Sequence, residues 1–447
     1  MDSHTQNLSE TDNRYFDSHY LKKCQVDTPP DIVEFAWDIA HEYQPYFSKV
    51  LDLGAGDGKF SLKGNYLHYV GYEIDSSRIS VGELPENAEI KHQCAFSDIE
   101  QAFDLCIGNP PYVRHHDLNG EWQQKIADKL SLKMGFRLDR RSNAFIYFLC
   151  QSLLQTKDNG LVIQVIPYEW VSRPAAKFLR DYIRAKKWDV RVYRFEQDVF
   201  AHSKVLTTAC VTVIDKSSDK QKWEYYRVDN QLNRRKVLSA TGHSDSVLVY
   251  KKRSRFNYAQ RGLSPGGQKI FCLTEEIRQK FGLKVGDDVV PCIANIKPLP
   301  SHLKLVNSSV FKKYYIDAGE RCWLIKPNRQ PSKELLGYLE SIPFEERDNY
   351  TCNHQSPWWC YRKHNAPDLI YGSGFTHFGP KVYVNGIKAI VLGTVHGVHE
   401  VTNIGKYQLV KELLNFNFET KLVSHSGALK KIEVNQMNAV LGLLCNE

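Results

Sequence analysis

The sequence predicts an α/β protein in which a parallel sheet carries helices on both faces and a second domain of mixed α/β texture follows. Three observations carry this. Short apolar runs alternate with helix-period segments through the first half of the chain, the pattern of a parallel sheet covered on both faces. A glycine-rich turn follows the first of these runs directly, as in open α/β folds that bind ligands at their strand ends. Beyond residue 240 the texture changes to shorter periodic segments, Gly and Pro punctuation, and clustered basic and aromatic residues. At 447 residues the chain has room for two or three full-sized cores. The expected division is a loose polar arm over 1–20, a sheet domain over 21–240 and a second domain over 241–447.

Taken in order, the first element is a helix from Asp31 to Ala40, where Ile32, Val33, Phe35, Ala36 and Ile39 recur at helical spacing behind a Thr28-Pro29-Pro30 entry that can start a helix. Buried strands are expected at Val50–Leu53, Tyr69–Tyr72, Phe103–Ile107 and Leu161–Ile166, with an apolar helix from Ala144 to Leu154 before the last of them. A further strand, Cys210–Ile214, runs into the turn-like Asp215–Lys220, where the sheet is expected to finish.

Composition narrows the class. Hydrophobic residues at 42% and charged residues at 25% exclude global disorder. The net charge of +8 leans toward a polyanionic partner. The first thirty residues show no charged segment followed by an apolar run, and no stretch reaches the length needed to span a bilayer, so a soluble cytoplasmic protein is expected. The eleven cysteines are scattered without a CxxC pair, which reads as reduced thiols. Cys352, His354, Cys360 and His364 fit no common zinc spacing, and no metal is expected.

Two motifs carry chemistry. In Val50-Leu51-Asp52-Leu53-Gly54-Ala55-Gly56-Asp57-Gly58 a strand feeds a glycine turn, which lets backbone pass close to a ligand. Phe60 stands where a phosphate-cradling loop would place Ser or Thr. Glu73, at the end of the next strand, is placed to accept hydrogen bonds from both hydroxyls of a ribose. The second motif is Asn109-Pro110-Pro111-Tyr112, set directly after a buried strand. The prolines hold the chain rigid and fix Asn109 and Tyr112 at the sheet's carboxyl edge. This suits methyl transfer to an amino nitrogen whose lone pair is delocalised into a ring or carbonyl. The Asn109 side-chain oxygen and the Pro110 carbonyl would accept the amino hydrogens and free the lone pair, while Tyr112 stacks on the flat substrate.

With these motifs in this order the sequence resembles the S-adenosylmethionine-dependent amino-methyltransferases, and most closely the γ-class DNA adenine-N6 methyltransferases of bacterial restriction–modification systems, over residues 22–215. The resemblance implies a Rossmann-like class I methyltransferase sheet and a C-terminal target-recognition domain. It implies that Thr28 meets the methionine end of S-adenosylmethionine, that Asp52 and the turn with Gly54, Gly56 and Gly58 hold its amino acid part, and that Glu73 binds the ribose with Ile74 beside the adenine. Where the family shows an acid followed by Phe, this chain has Ala95-Phe96. Phe96 fits the aromatic position, and whether Asp98 replaces the acid is left open. Phe200, in Asp198–Val205, resembles the aromatic that covers the target base opposite Tyr112.

Double-stranded DNA is the implied partner, with a cognate endonuclease acting separately on the same site and the methyltransferase a monomer. Lys251, Lys252, Arg253 and Arg255 and the Trp358–His364 cluster in the second domain, and the Arg234–Lys236 cluster just before it, are candidates for DNA contact. Three rival readings are an RNA adenine methyltransferase, a protein-glutamine methyltransferase and a catalytically dead specificity subunit. The short segment before Gly54 and the long one after residue 240 disfavour the glutamine enzyme, and the intact Asn109–Tyr112 and Glu73 disfavour the dead subunit.

Overall fold

The computed structural model describes residues 26–79, 83–97, 102–200, 208–241, 251–376, 378–422 and 430–445. The expected arm at 1–20, Asp98 and most of the segment beyond Phe200 lie outside them. The chain forms two compact units, one over 1–246 with 423–428 and one over 247–422 with 429–447.

The first unit opens with α1 (Pro30–His41), whose proline at the first turn lacks only a backbone N–H that would have no partner there. Its apolar stripe, extended by Trp37 and Ala40, is buried. Trp37 is tied down by an indole hydrogen bond of 2.8 Å to the Phe60 carbonyl. Among the described residues nine strands follow: β1 (Phe47–Leu53), β2 (Tyr66–Glu73), β3 (Ala88–His92), β4 (Phe103–Gly108), β5 (Thr156–Pro167), β6 (Asp189–Phe195), β7 (Ala209–Asp215), β8 (Trp223–Val228) and β9 (Arg234–Val237). They form one sheet in the order β3-β2-β1-β4-β5-β7-β6-β8-β9. Pairing is parallel from β3 through β5. β7 runs antiparallel between β5 and β6.

The chain winds outward from β1 to β3 on one side and returns to place β4 on the other, so the topological switch lies between β1 and β4. In open α/β sheets the crevice at the carboxyl ends of such a pair is where ligands bind. Between β4 and β5 come α2 (Gly120–Met134) and α3 (Ala144–Gln155). Nearly every residue of α3 is buried, as expected of a helix apolar all round.

The sheet does not finish at Asp215–Lys220. Two strands, β8 and β9, extend it. β8 is half-buried and β9 mostly exposed, so neither shows the apolar run of the inner strands, but on β8 Tyr226 stacks on Tyr193 with ring centroids 4.7 Å apart, and Trp223 lies against Trp170 at 5.7 Å. These aromatic contacts supply the burial that the β8 sequence lacks, and β9 joins the sheet by antiparallel pairing with β8.

The second unit contains a five-stranded sheet in the order Tyr258–Gln260, Val395–His399, Leu369–Gly372, Val382–Asn385, Leu305–Val306 and a four-stranded sheet in the order Cys272–Leu273, Trp323–Ile325, Val289–Ile293, Ile390–Val391. Short helices pack around them over two apolar cores. Among the described residues no helix is long and apolar enough to cross a membrane.

Candidate active site

One cleft at the carboxyl ends of β1, β2 and β4 is lined by Thr28, Asp52, Gly54, Gly56, Glu73, Ile74, Phe96, Asn109, Pro110 and Tyr112. Residues spread over more than eighty positions are therefore brought together, and the strand order is what does it.

The turn after β1 takes left-handed backbone at Gly54 (φ 80°), Gly56 (58°) and Gly58 (81°), a region costly to residues with a Cβ. Its path is fixed from β2. The Gly54 and Ala55 N–H groups donate to the Tyr72 carbonyl at 2.8 and 3.0 Å. The Glu73 carboxylate closes the clasp, accepting from Gly56 N–H on Oε2 at 2.8 Å and from Ile74 and Asp75 N–H on Oε1 at 2.9 Å each. Three of the roughly four acceptor positions of a carboxylate are thus occupied by backbone.

Asp52 lies beneath this turn, fully buried. Its Oδ2 accepts from the Tyr69 hydroxyl at 2.6 Å, while its Oδ1 is buried without a partner. Burial pushes its carboxyl pKa up to about 7, with Glu73 and Asp57 adding to the rise and the Tyr69 hydrogen bond opposing it. The carboxylate fits only because the last residue of β4 is glycine: a Cβ on Gly108 would lie 2.1 Å from Asp52 Oδ1.

Asn109 follows immediately. Its Nδ2 donates to Thr28 Oγ1 at 3.0 Å and to the Val26 carbonyl at 3.4 Å. A carbonyl can only accept, so the amide orientation is set and Oδ1 is the other end. That oxygen is buried and has no partner. Leaving a buried acceptor unmade costs about 1–3 kcal/mol, and a ligand N–H is what would relieve it.

Tyr112 is held by its hydroxyl, which donates to the Val165 carbonyl at 2.8 Å. Phe200 does come beside it, but the two rings meet edge to face, with centroids 5.9 Å apart and planes at 79°. Phe200 is buried in the sheet's core cluster. In this arrangement the pair does not form two parallel plates with a slot between them.

Phe96 lines the cleft with Ile74 and is braced edge-on by Phe148 (4.8 Å) and Trp122 (5.5 Å). At the rim, Arg78 pairs with Asp27, and Lys59 reaches Asp27 at 3.6 Å and Asp57 at 3.3 Å. Burial raises the Asp27 carboxyl, but Arg78 and Lys59 outweigh it and hold it below its ordinary value. No motif signals this charged rim, because Asp27 and Arg78 meet across fifty-one positions of sequence.

The basic candidates of the second unit lie apart from this cleft in the chain. Lys252, Arg253 and Arg255 are exposed, and Arg253 rests 3.6 Å over the Tyr258 ring. Trp358 and Trp359 pack on the unit's core, which accounts for their aromatic character without a ligand. In the first unit Arg234 pairs with Glu42 and Lys236 with Glu224. Among the described residues no three His, Cys, Asp or Glu side chains converge as a metal ion would require.

Comparison with known proteins bears on this cleft. The family described as Eco57I restriction-modification methylase matches residues 65–200, and that described as Type II methyltransferase M.Eco57I, C-terminal domain, matches residues 220–420. The chain is similar to the Type II methyltransferase M.AccI of Acinetobacter calcoaceticus, with 21% identity covering 77% of this chain and 69% of that protein. It is also similar to the Type II methyltransferase M.XamI of Xanthomonas campestris pv. amaranthicola, with 21% identity covering 92% and 83%. Among solved structures, the fold resembles that of the Type IIL restriction-modification enzyme MmeI in complex with DNA, with a TM-score of 0.58 at 11% identity over 96% of this chain and 67% of that one.

Proposed function

We propose, for a chain that matches the Eco57I restriction-modification methylase family over residues 65–200 and uses S-adenosylmethionine, that the methyl acceptor is the N6 amino group of an adenine in double-stranded DNA, presented to the cleft outside the helix. The observation that carries this reading is Asn109 Oδ1, a buried acceptor with no partner, on an amide pinned from its other end by Thr28 and the Val26 carbonyl.

The cleft fits the cofactor. Its ammonium matches the unpartnered oxygen of Asp52, its ribose the acceptor position that backbone leaves open on the Glu73 carboxylate, and its adenine the apolar walls at Ile74 and Phe96. Thr28 and the Gly54–Gly58 turn would enclose the methionine end. When bound, S-adenosylmethionine supplies an electrophilic methyl group.

The chain's own residues then act on the amino group. Its lone pair is spread into the purine ring, which makes the nitrogen a poor nucleophile. Asn109 Oδ1 and the Pro110 carbonyl accept its two hydrogens and draw the nitrogen toward tetrahedral geometry, localising the pair. Because the acceptors are preorganised and shielded from water, they need no reorganisation during the reaction. The nitrogen becomes cationic as the new bond forms and then loses a proton readily, so no strong base is required. Tyr112 offers a face for the flipped base. Phe200, edge-on to Tyr112, is the candidate for the opposite face. The second unit reads base edges, since sequence readout needs a surface separate from the pocket that takes the extruded base, with Lys251, Lys252, Arg253 and Arg255 as candidates for the contact.

Expression in a methylation-deficient bacterial host, followed by sequencing with detection of modified bases, tests this directly. N6-methyladenine at one position of one recurring motif is expected. Asn109→Ala should lower the single-turnover rate by at least about a hundredfold with cofactor affinity retained. Methylcytosine alone, or unmodified DNA, would overturn the reading.

A further inference from the structure

Three arginines stand side by side across the sheet of the first unit. Arg194 on β6 is the register partner of Arg227 on β8, and Arg227 is the register partner of Arg235 on β9. Register partners project from the same face of a sheet, and like charges directly opposite one another are destabilising.

The compensation inside the protein is partial. The Tyr168 ring, immediately after β5, lies 5.1 Å from the Arg194 guanidinium and 6.0 Å from that of Arg227, and its hydroxyl donates to the Ala240 carbonyl. Arg227 also donates to the Thr241 carbonyl at 3.0 Å. Arg235, with its side chain 76% exposed, reaches Glu196 at 4.0 Å. Among the described residues no carboxylate forms an ion pair with Arg194 or Arg227, and Arg194 Nε is buried with no acceptor. Burial and the charge of Arg227 pull the Arg194 pKa down to about 10, so the fold holds a cation at a cost. Beside the row, on the residue before β7, Thr208 Oγ1 is a second buried polar atom without a partner.

The row's position is informative. Arg194 and Arg227 each stand one residue before the carboxyl end of their strand, and that edge of the sheet also carries Asn109 beyond β4. From β4 to β6 is three strand spacings, about 14 Å, or about four base steps along one strand of a duplex.

We propose that the Arg194–Arg227–Arg235 row binds backbone phosphates of the DNA a few nucleotides from the base undergoing methylation, an inference that rests on the DNA-methyltransferase reading above. Guanidinium groups suit the role because their planar forks match phosphate oxygens in pairs and they shed water more readily than ammonium groups. The contact carries no sequence information. It sets the register of the duplex on the catalytic unit while the base enters the cleft.

The test uses the full chain and a fluorescently labelled duplex of random sequence, with anisotropy measured over a range of salt concentrations. The slope of log affinity against log salt falls by about 0.9 for each phosphate that the protein no longer neutralises. The R194Q/R227Q double variant should therefore flatten the slope by about 1.8 while calorimetric cofactor affinity stays at the parent value, and R194K/R227K should keep most of it. R235Q, at an exposed position, should flatten it by about 0.9 and decides the matter if the double variant does not fold. A folded double variant, or R235Q in its place, that keeps the parent slope would overturn the phosphate assignment alone. A parent protein with no salt-dependent duplex binding would overturn the DNA reading on which it rests.

Discussion

With Asp52 proposed to face the ammonium of the cofactor, cofactor affinity is expected to depend on pH in a way that follows from the surroundings of that carboxyl. The carboxyl is completely buried, one oxygen takes the Tyr69 hydroxyl, and its pKa stands at about 7. A cationic ligand group set against Asp52 requires the carboxylate, so the protein must be deprotonated there before or during binding. With a pKa of about 7, only about 1% of the protein carries the carboxylate at pH 5, which costs about a hundredfold in affinity relative to pH 8, or about 2.7 kcal/mol. Isothermal calorimetry with S-adenosylmethionine from pH 5 to pH 8 reads this directly, and repeating it near pH 6 in buffers of different ionisation enthalpy should show close to one proton released.

Asp52→Asn should bind weakly with no such slope. The stability of the cofactor-free protein should move in the opposite sense. Because the folded pKa of about 7 lies above the ordinary value of 3.8, the folded state takes up a proton that the unfolded chain does not. This group's contribution to stability therefore rises as pH falls from 7 toward 4. At neutral pH Asp52→Asn should melt higher than the parent while binding cofactor worse. A cofactor affinity that is level between pH 5 and pH 8 would refute the argument.

Two further outcomes are expected. Glu73→Ala removes the acceptor for the Gly56, Ile74 and Asp75 N–H groups and a charged partner for the ribose, and should weaken cofactor binding by about 1.5–3 kcal/mol, or one to two decades by calorimetry. Gly108→Ala would set a methyl group 2.1 Å from Asp52 Oδ1, which forces the buried carboxylate to move. It should lower cofactor affinity and displace the pH dependence described above, with circular dichroism reporting an intact sheet.

The cleft was legible because its residues fall in contiguous runs. Asp52 through Gly58, Glu73 after its strand, and Asn109 through Tyr112 each join a strand to the residues it presents, and a strand end is a local event. The α1 helix and the inner strands were legible for the same reason, since apolar spacing reports burial. The extension by β8 and β9 was not, because Trp223 through Val228 are only partly buried and owe their place to rings contributed by Trp170 and Tyr193. The edge-on meeting of Tyr112 and Phe200 was equally out of reach. A motif specifies which residues approach one another but leaves the angle between their rings to packing.

The fold class, the order of the glycine turn, Glu73 and the Asn109–Tyr112 motif, and residue types that suit methyl transfer to an amino group can be read locally, because periodicity, glycine and proline act on the backbone within a few residues. Which polar atoms are left without partners depends on the folded sheet. Asn109 Oδ1, Asp52 Oδ1 and Arg194 Nε differ from other side chains of their kind through what surrounds them. Asp27 meets Arg78, Arg194 lies opposite Arg227 and Gly108 makes room for Asp52 across gaps of dozens of residues. Hydrogen bonding, desolvation and charge act through space, and spatial neighbours exist only once the sheet has placed β1, β4, β6 and β8 in order.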